Sequence, residues 1–252
     1  MARHGSDRLP MQTAVVRAVE CSPFVGRYQN PTAPSTVDIR VLELLAAWLC
    51  HELSGPIAAI NNGVELLTEE DSSLGSASGT AFVQDAAALV SDSARGARSP
   101  LQFYLFAYGF SSGSAIAGPA PHEVATGFFA ATRIVGDYAD SILMLPPDWQ
   151  KLACNLLAVG AYLLPRGGRL VLADDPLTLD AVGEPAALNP DAYAALTLAT
   201  PIGELTPRTV QPYFTGLLAQ AWGGSLIATS EPDRVRIRVM LPDNARPDGS
   251  RC

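Results

Sequence analysis

Trp48–Leu67, WLCHELSGPIAAINNGVELL, is the stretch on which the reading of this chain turns. It places a histidine, an acid directly after it and a proline five residues on, all inside a run with helical periodicity. Upstream, Val37, Val41, Leu44, Leu45, Trp48 and Leu49 recur at spacings of three and four, and the pattern resumes after Pro56 with Ile57, Ile60, Val64 and Leu67. Ser35 or Thr36 can cap the start, and Asp38 suits a first turn. The spacing predicts one helix of about 30 residues, kinked or loosened at Pro56, because proline removes a hydrogen bond and crowds the preceding turn.

A polar Gly/Ser-rich loop (69–79) separates this helix from a second, predicted from about Thr80 to Tyr108. Two long helices joined by a short loop form an antiparallel hairpin. Alone, a hairpin leaves an apolar face without cover, so it needs a partner. From about 122 the texture alternates: helix 122–131, strand 140–145, helix 147–164, strands 169–174 and 177–183, a short helix 190–195, helix 207–222, and strands 224–230 and 233–241. That order predicts an α+β domain with helices on one face of a sheet. The expected organisation is an extension over 1–34, a hairpin over 35–110, an α/β domain over 120–243 and a polar tail over 244–252.

Of the 252 residues, 17 are basic and 25 acidic, for a formal charge of −8. No basic patch stands out, which argues against nucleic acid as a partner. No apolar run is expected to reach the roughly 18–20 residues that span a bilayer, and no signal core is expected at the start of the chain. The expectation is a cytoplasmic protein without membrane association. Cys21, Cys50, Cys154 and Cys252 are scattered and read as reduced thiols. His4, His51 and His122 are far apart, which gives no support for a histidine-based metal site.

His51 shares its helix face with Ala47, Gly55, Ala58 and Asn62. Small neighbours let another protein surface come close to the ring. In-line transfer of a phosphoryl group between proteins needs that access, with nucleophile and donor aligned. Neutral imidazole is nucleophilic near physiological pH. Glu52 could orient the ring or take its proton. The plainer alternative is a solvated helix histidine with no chemistry. A mid-helix proline, costing roughly 3 kcal/mol, favours a distortion kept for a purpose.

HELSGP resembles the phosphoacceptor box of bacterial histidine kinases. WQKLACNLLAVGAYLLPRGG, containing Asn155, resembles the N-box helix of the kinase ATP-binding domain, and LLAQAWGGSLIATSEPDRVRIRVMLP resembles its terminal helix and β-hairpin. Between them the chain lacks a DxGxG box and a glycine-rich lid, which bring backbone close to nucleotide phosphates. Asn155 is therefore expected to make an internal hydrogen bond rather than to hold Mg-ATP. The combination is similar to the ChpT-type histidine phosphotransferases, whose pattern HELSGPIAAINNGVELL follows with Glu52 and Gly55 as departures.

That resemblance implies a homodimer whose two hairpins form a four-helix bundle, each carrying a degenerate kinase-like α/β sandwich. It implies a relay of phosphate through His51 between the receiver domain of a hybrid kinase (CckA-like) and response regulators (CtrA/CpdR-like). Glu52 would assist as orienting group or general base. Gly55, Ala58 and Asn62 would meet the partner, and Arg95 and Arg98 are rim candidates or ordinary solvated charges. No cofactor is implied, and Mg²⁺ would belong to the receiver. Glycine at position 55 in place of a polar residue implies weak hydrolysis of the phosphorylated state. The rival readings are a divergent autophosphorylating kinase and a non-catalytic dimeric scaffold.

Overall fold

The computed structural model describes residues 36–69, 77–109, 121–130, 132–174 and 176–241. The expected extension over 1–34, the tail over 244–252, Cys21, Cys252 and His4 lie outside the described residues.

Helix α1 spans Ile39–Glu69 and α2 spans Ala77–Tyr108. They pack on each other as the expected hairpin. Each contains an internal proline, Pro56 and Pro100, and each remains one continuous element. The hairpin's base is anchored on the rest of the chain. Helix α5 spans Pro190–Leu196 and α6 spans Val210–Ala221. Val41, Leu44 and Leu45 of α1 share a buried cluster with Ala195 of α5, Leu205, and Val210 and Tyr213 of α6. Helices α3 (Pro121–Phe129) and α4 (Pro147–Leu163) complete the set. Phe103, Tyr104 and Ala107 of α2 join the main core with Val124, Ala125 and Phe129 of α3 and most of α4.

The second half of the α1 stripe behaves differently. Ile57 and Val64 are exposed, as are Leu89, Leu101 and Leu105 of α2. The apolar face foreseen in the sequence is thus buried on its own chain only at the base. By length and composition α1 passes the test for a bilayer-spanning helix over Ile39–Thr68, contrary to the expectation that no run was long enough. Glu43, Glu52 and Glu65 lie along it, and its base is packed on α6, which fits a hairpin helix.

The five-stranded sheet runs β1–β2–β3–β5–β4, with β1 at Ile134–Tyr138, β2 at Gly168–Asp174, β3 at Leu177–Val182, β4 at Ser225–Glu231 and β5 at Arg234–Met240. Only the β1–β2 pair is parallel. Leu170, Leu172, Leu179, Ala181, Val235 and Ile237 alternate inward and are buried under the helices. Gly160 of α4 permits the close approach: a Cβ there would stand 2.7 Å from Leu170 and 2.8 Å from Leu179.

One predicted element is corrected. Residues 140–145 are not a strand; Asp140–Met144 is a 3-10 helix, and the strand is Ile134–Tyr138. The apolar run SILML imitates a strand, yet it buries Ile142 and Leu145, three apart, which is the 3-10 period. IVGDY alternates half-buried and exposed positions as an edge strand does.

Candidate functional site around His51

The turn carrying His51 is loosened from both sides. Pro56 has no N–H for the carbonyl of Glu52, four residues back. The Ser54 hydroxyl donates to the carbonyl of Cys50 at 2.7 Å, a back-bond that competes with the helical ladder. The helix therefore stays one continuous element while the carbonyls of Cys50 and Glu52, on either side of the histidine, depart from the regular ladder.

His51, Gly55, Ala58 and Asn62 are all exposed, at spacings that return to one face of α1. Nothing lies within 4 Å of a Cβ built on Gly55. Further along, Gly63 marks the crossing with α2, where a Cβ would meet Val90 at 2.5 Å. The side of α1 that carries Gly63 is thus closed by α2, while Gly55 beside His51 is open.

Glu52 is also exposed, next to His51 in sequence and about 100° around the helix from it. Its negative charge reaches two tyrosines of α2. Tyr104 and Tyr108 have hydroxyl pKa values raised well above the ordinary one, first by burial and then by charge, Glu52 contributing to both. Glu52 thus bears electrostatically on the tyrosines of α2. Trp48, one turn before it, makes edge contacts with Tyr104 and Tyr108, ring centres 5.2 and 6.0 Å apart.

Asn155, in the segment resembling an N-box, is fully buried and faces the hairpin. Its amide nitrogen donates to Ala107 O at 2.8 Å and Lys151 O at 2.9 Å. The expected internal hydrogen bond is what the structure holds. Arg95 is tied locally to Asp92 at 2.8 Å with both side chains largely exposed, and Arg98 is exposed. His122 is exposed in the first turn of α3 and edges a cleft with Tyr138, Ile142, Gln150 and Cys154. Cys50 and Cys154 are free thiols, the first exposed and the second buried. Among the described residues no three His, Cys, Asp or Glu side chains converge as a metal site would require. Sequence reasoning missed Tyr108 and Gln211, whose side chains meet across 103 residues. No local signal marks such a pair.

A sequence model of the histidine phosphotransferase C-terminal domain matches residues 120–234. Over 211 residues the chain is 33% identical to protein phosphotransferase ChpT of Brucella abortus (strain 2308), covering 80% of this chain and 95% of that one. The chain belongs to the histidine phosphotransferase family. Among solved structures, that of a bacterial phosphotransferase at 1.7 Å superposes with a TM-score of 0.63 at 29% identity, covering 84% of this chain and all of that one. The Acinetobacter baumannii histidine kinase AdeS aligns over 77% of this chain with a TM-score of 0.33 at 11% identity, too low to support any argument. Membership assigns this histidine phosphotransferase to phosphoryl transfer in a phosphorelay.

Proposed function

We propose that His51 is the phosphoacceptor, alternately receiving a phosphoryl group from, and returning it to, aspartates of partner receiver domains. A neutral ring nitrogen attacks the phosphorus of an aspartyl phosphate. An N–P bond forms as the acyl P–O bond breaks, and the carboxylate leaves; return transfer is the reverse. The Mg²⁺ that offsets phosphoryl charge comes with the receiver. Glu52 orients the imidazole or accepts its proton. Gly55, Ala58 and Asn62 form the contact face. One observation carries this reading: an exposed histidine on an open helix face, with no atom within 4 Å of a Cβ on Gly55.

The same proposal makes the donor a CckA-like hybrid-kinase receiver and the acceptors CtrA- or CpdR-like regulators, met in the cytoplasm. A second copy covers the exposed Ile57, Val64, Leu101 and Leu105, closing a four-helix bundle. The protein uses no ATP. Supporting that, the asparagine in the N-box-like helix is spent on the hairpin's backbone.

The test mixes the protein with radiolabelled ATP alone and with a phosphorylated hybrid-kinase receiver, each beside His51→Ala. Label arriving only from the receiver and only on His51 is expected. Label from ATP alone would make it a kinase. Failure with a series of receivers would leave the scaffold reading.

A further inference from the structure

The joint between hairpin and α/β body carries an inference that rests on the transfer reading above. A helix ends with carbonyls that no further turn can satisfy. At the end of α2 one of these, and the carbonyl just beyond the helix, are taken up by side chains of α4. Asn155 donates to Ala107 O at 2.8 Å, and the Lys151 ammonium donates to Gly109 O at 2.6 Å, a cation at a helix C-terminus. The Tyr108 hydroxyl donates to the Gln211 side-chain oxygen on α6. Gln211 returns its amide to Asn155, 3.3 Å from the side-chain oxygen and 3.5 Å from the carbonyl. Asn155 and Gln211 are both buried. Around this chain of bonds Tyr108 meets Trp48 of α1 and Phe214 of α6, with ring centres 6.0 and 5.5 Å away. Helices α1, α2, α4 and α6 therefore meet at the end of α2, where Tyr108 bonds to α6 and packs on α1.

An apolar joint can slide; a buried polar network with defined partners has one low-energy geometry, because each displaced member leaves a desolvated group unpaired. Two units of one chain joined by a linker move relative to each other by default. This joint opposes that default. His51 sits three residues past Trp48 on the same helix, so the angle of the body to the hairpin sets what a docking protein meets beside the histidine.

We propose that Tyr108, Gln211 and Asn155 are positioning residues for phosphotransfer, a lock that holds the α/β body at a single angle to the hairpin so that a receiver engages both at once. They touch no reacting atom. Their contribution is to the docked geometry, and a misplacement of order 1 Å is enough to cost a large part of the rate.

Tyr108→Phe tests this, since it keeps the ring contacts and removes only the hydroxyl. Phosphoramidate, a small donor that needs no docking surface, reports His51 itself. A phosphorylated receiver, titrated over concentration, reports docking. The expected result is phosphoramidate labelling within about twofold of the parent protein and a receiver KM raised about fivefold, the scale of one buried hydrogen bond. Lys151→Gln, which alters the same joint from α4, is expected to shift KM in the same direction and serves if Tyr108→Phe does not fold. An unchanged KM in either folded variant overturns the lock. An equal loss with both donors also overturns it, because the effect then lies in the fold or in His51. No label on the unaltered protein from either donor would overturn the transfer reading and the lock with it; normal transfer with an unchanged variant profile overturns the lock alone.

Discussion

The side-chain amide of Asn155 donates to the main-chain carbonyl of Ala107 at 2.8 Å, across 48 residues and in full burial. A residue type that would serve a nucleotide in a working kinase here closes the end of a helix. Replacing it removes a donor from a buried carbonyl. Asn155→Leu is expected to destabilise the protein by about 1–3 kcal/mol, with the midpoint of denaturant unfolding as the measurement. A midpoint equal to the parent's would show that the bond is dispensable.

His51→Ala is expected to leave stability within about 0.5 kcal/mol of the parent, as for exposed surface positions generally. Thermal unfolding checks this. The substitution should remove phosphate acceptance entirely, so loss of transfer with an unmoved Tm separates chemistry from folding.

Two glycines of α1 should respond in opposite directions. Gly55 has open space around its Cβ, so Gly55→Ala is expected to stabilise the helix by up to about 1 kcal/mol. Gly63 has Val90 at 2.5 Å from a Cβ, and Gly63→Ala is expected to cost about 1–3 kcal/mol. Paired urea titrations read both. Gly55→Ser additionally supplies a hydroxyl beside His51, and faster loss of label from a phosphorylated receiver is the expected change.

Phe103 is fully buried and stacks on Phe128 with ring centres 4.2 Å apart. Phe103→Ala is expected to destabilise by about 3–5 kcal/mol. Because this ring joins α2 to α3, hydrogen exchange should accelerate in the last turns of α2 together with α3. Acceleration confined to the hairpin would contradict a shared core.

Alkaline pH should unfold the protein through its buried acids. Burial pushes the Cys154 thiol from 9.0 up to about 12 and the Tyr138 hydroxyl from 10.0 up to about 12. Each raised acid binds its proton more tightly when folded, so its contribution is complete below the unfolded pKa and is lost as pH rises toward the folded one. Stability should fall from about pH 9 upward, by up to about 1.4 kcal/mol per pH unit for each such group. Lys151 is shifted the other way, its pKa lowered by burial, so its own contribution rises with pH below 10.5 and partly opposes that fall. Cys154→Ala is expected to flatten the decline between pH 9 and 12, measured by Tm across buffers.

The sequence alone determined the hairpin, the order of the later elements and the singular position of His51. Each rests on local periodicity: three-and-four spacing for α1, alternation for β2, β3 and β5, and small residues at positions that return to one helix face. Two things needed the folded chain. The strand expected at 140–145 lies at Ile134–Tyr138, because an apolar run does not declare which of its members will be buried, and only packing chose Ile142 and Leu145. The joint at Tyr108 was invisible for a stronger reason. Its partners Gln211 and Asn155 stand 103 and 48 residues from the α2 positions they bind, and neither carries a mark at short range. Spacing along a chain reports the faces of single elements; only their convergence in three dimensions decides which polar groups are buried together and must satisfy one another.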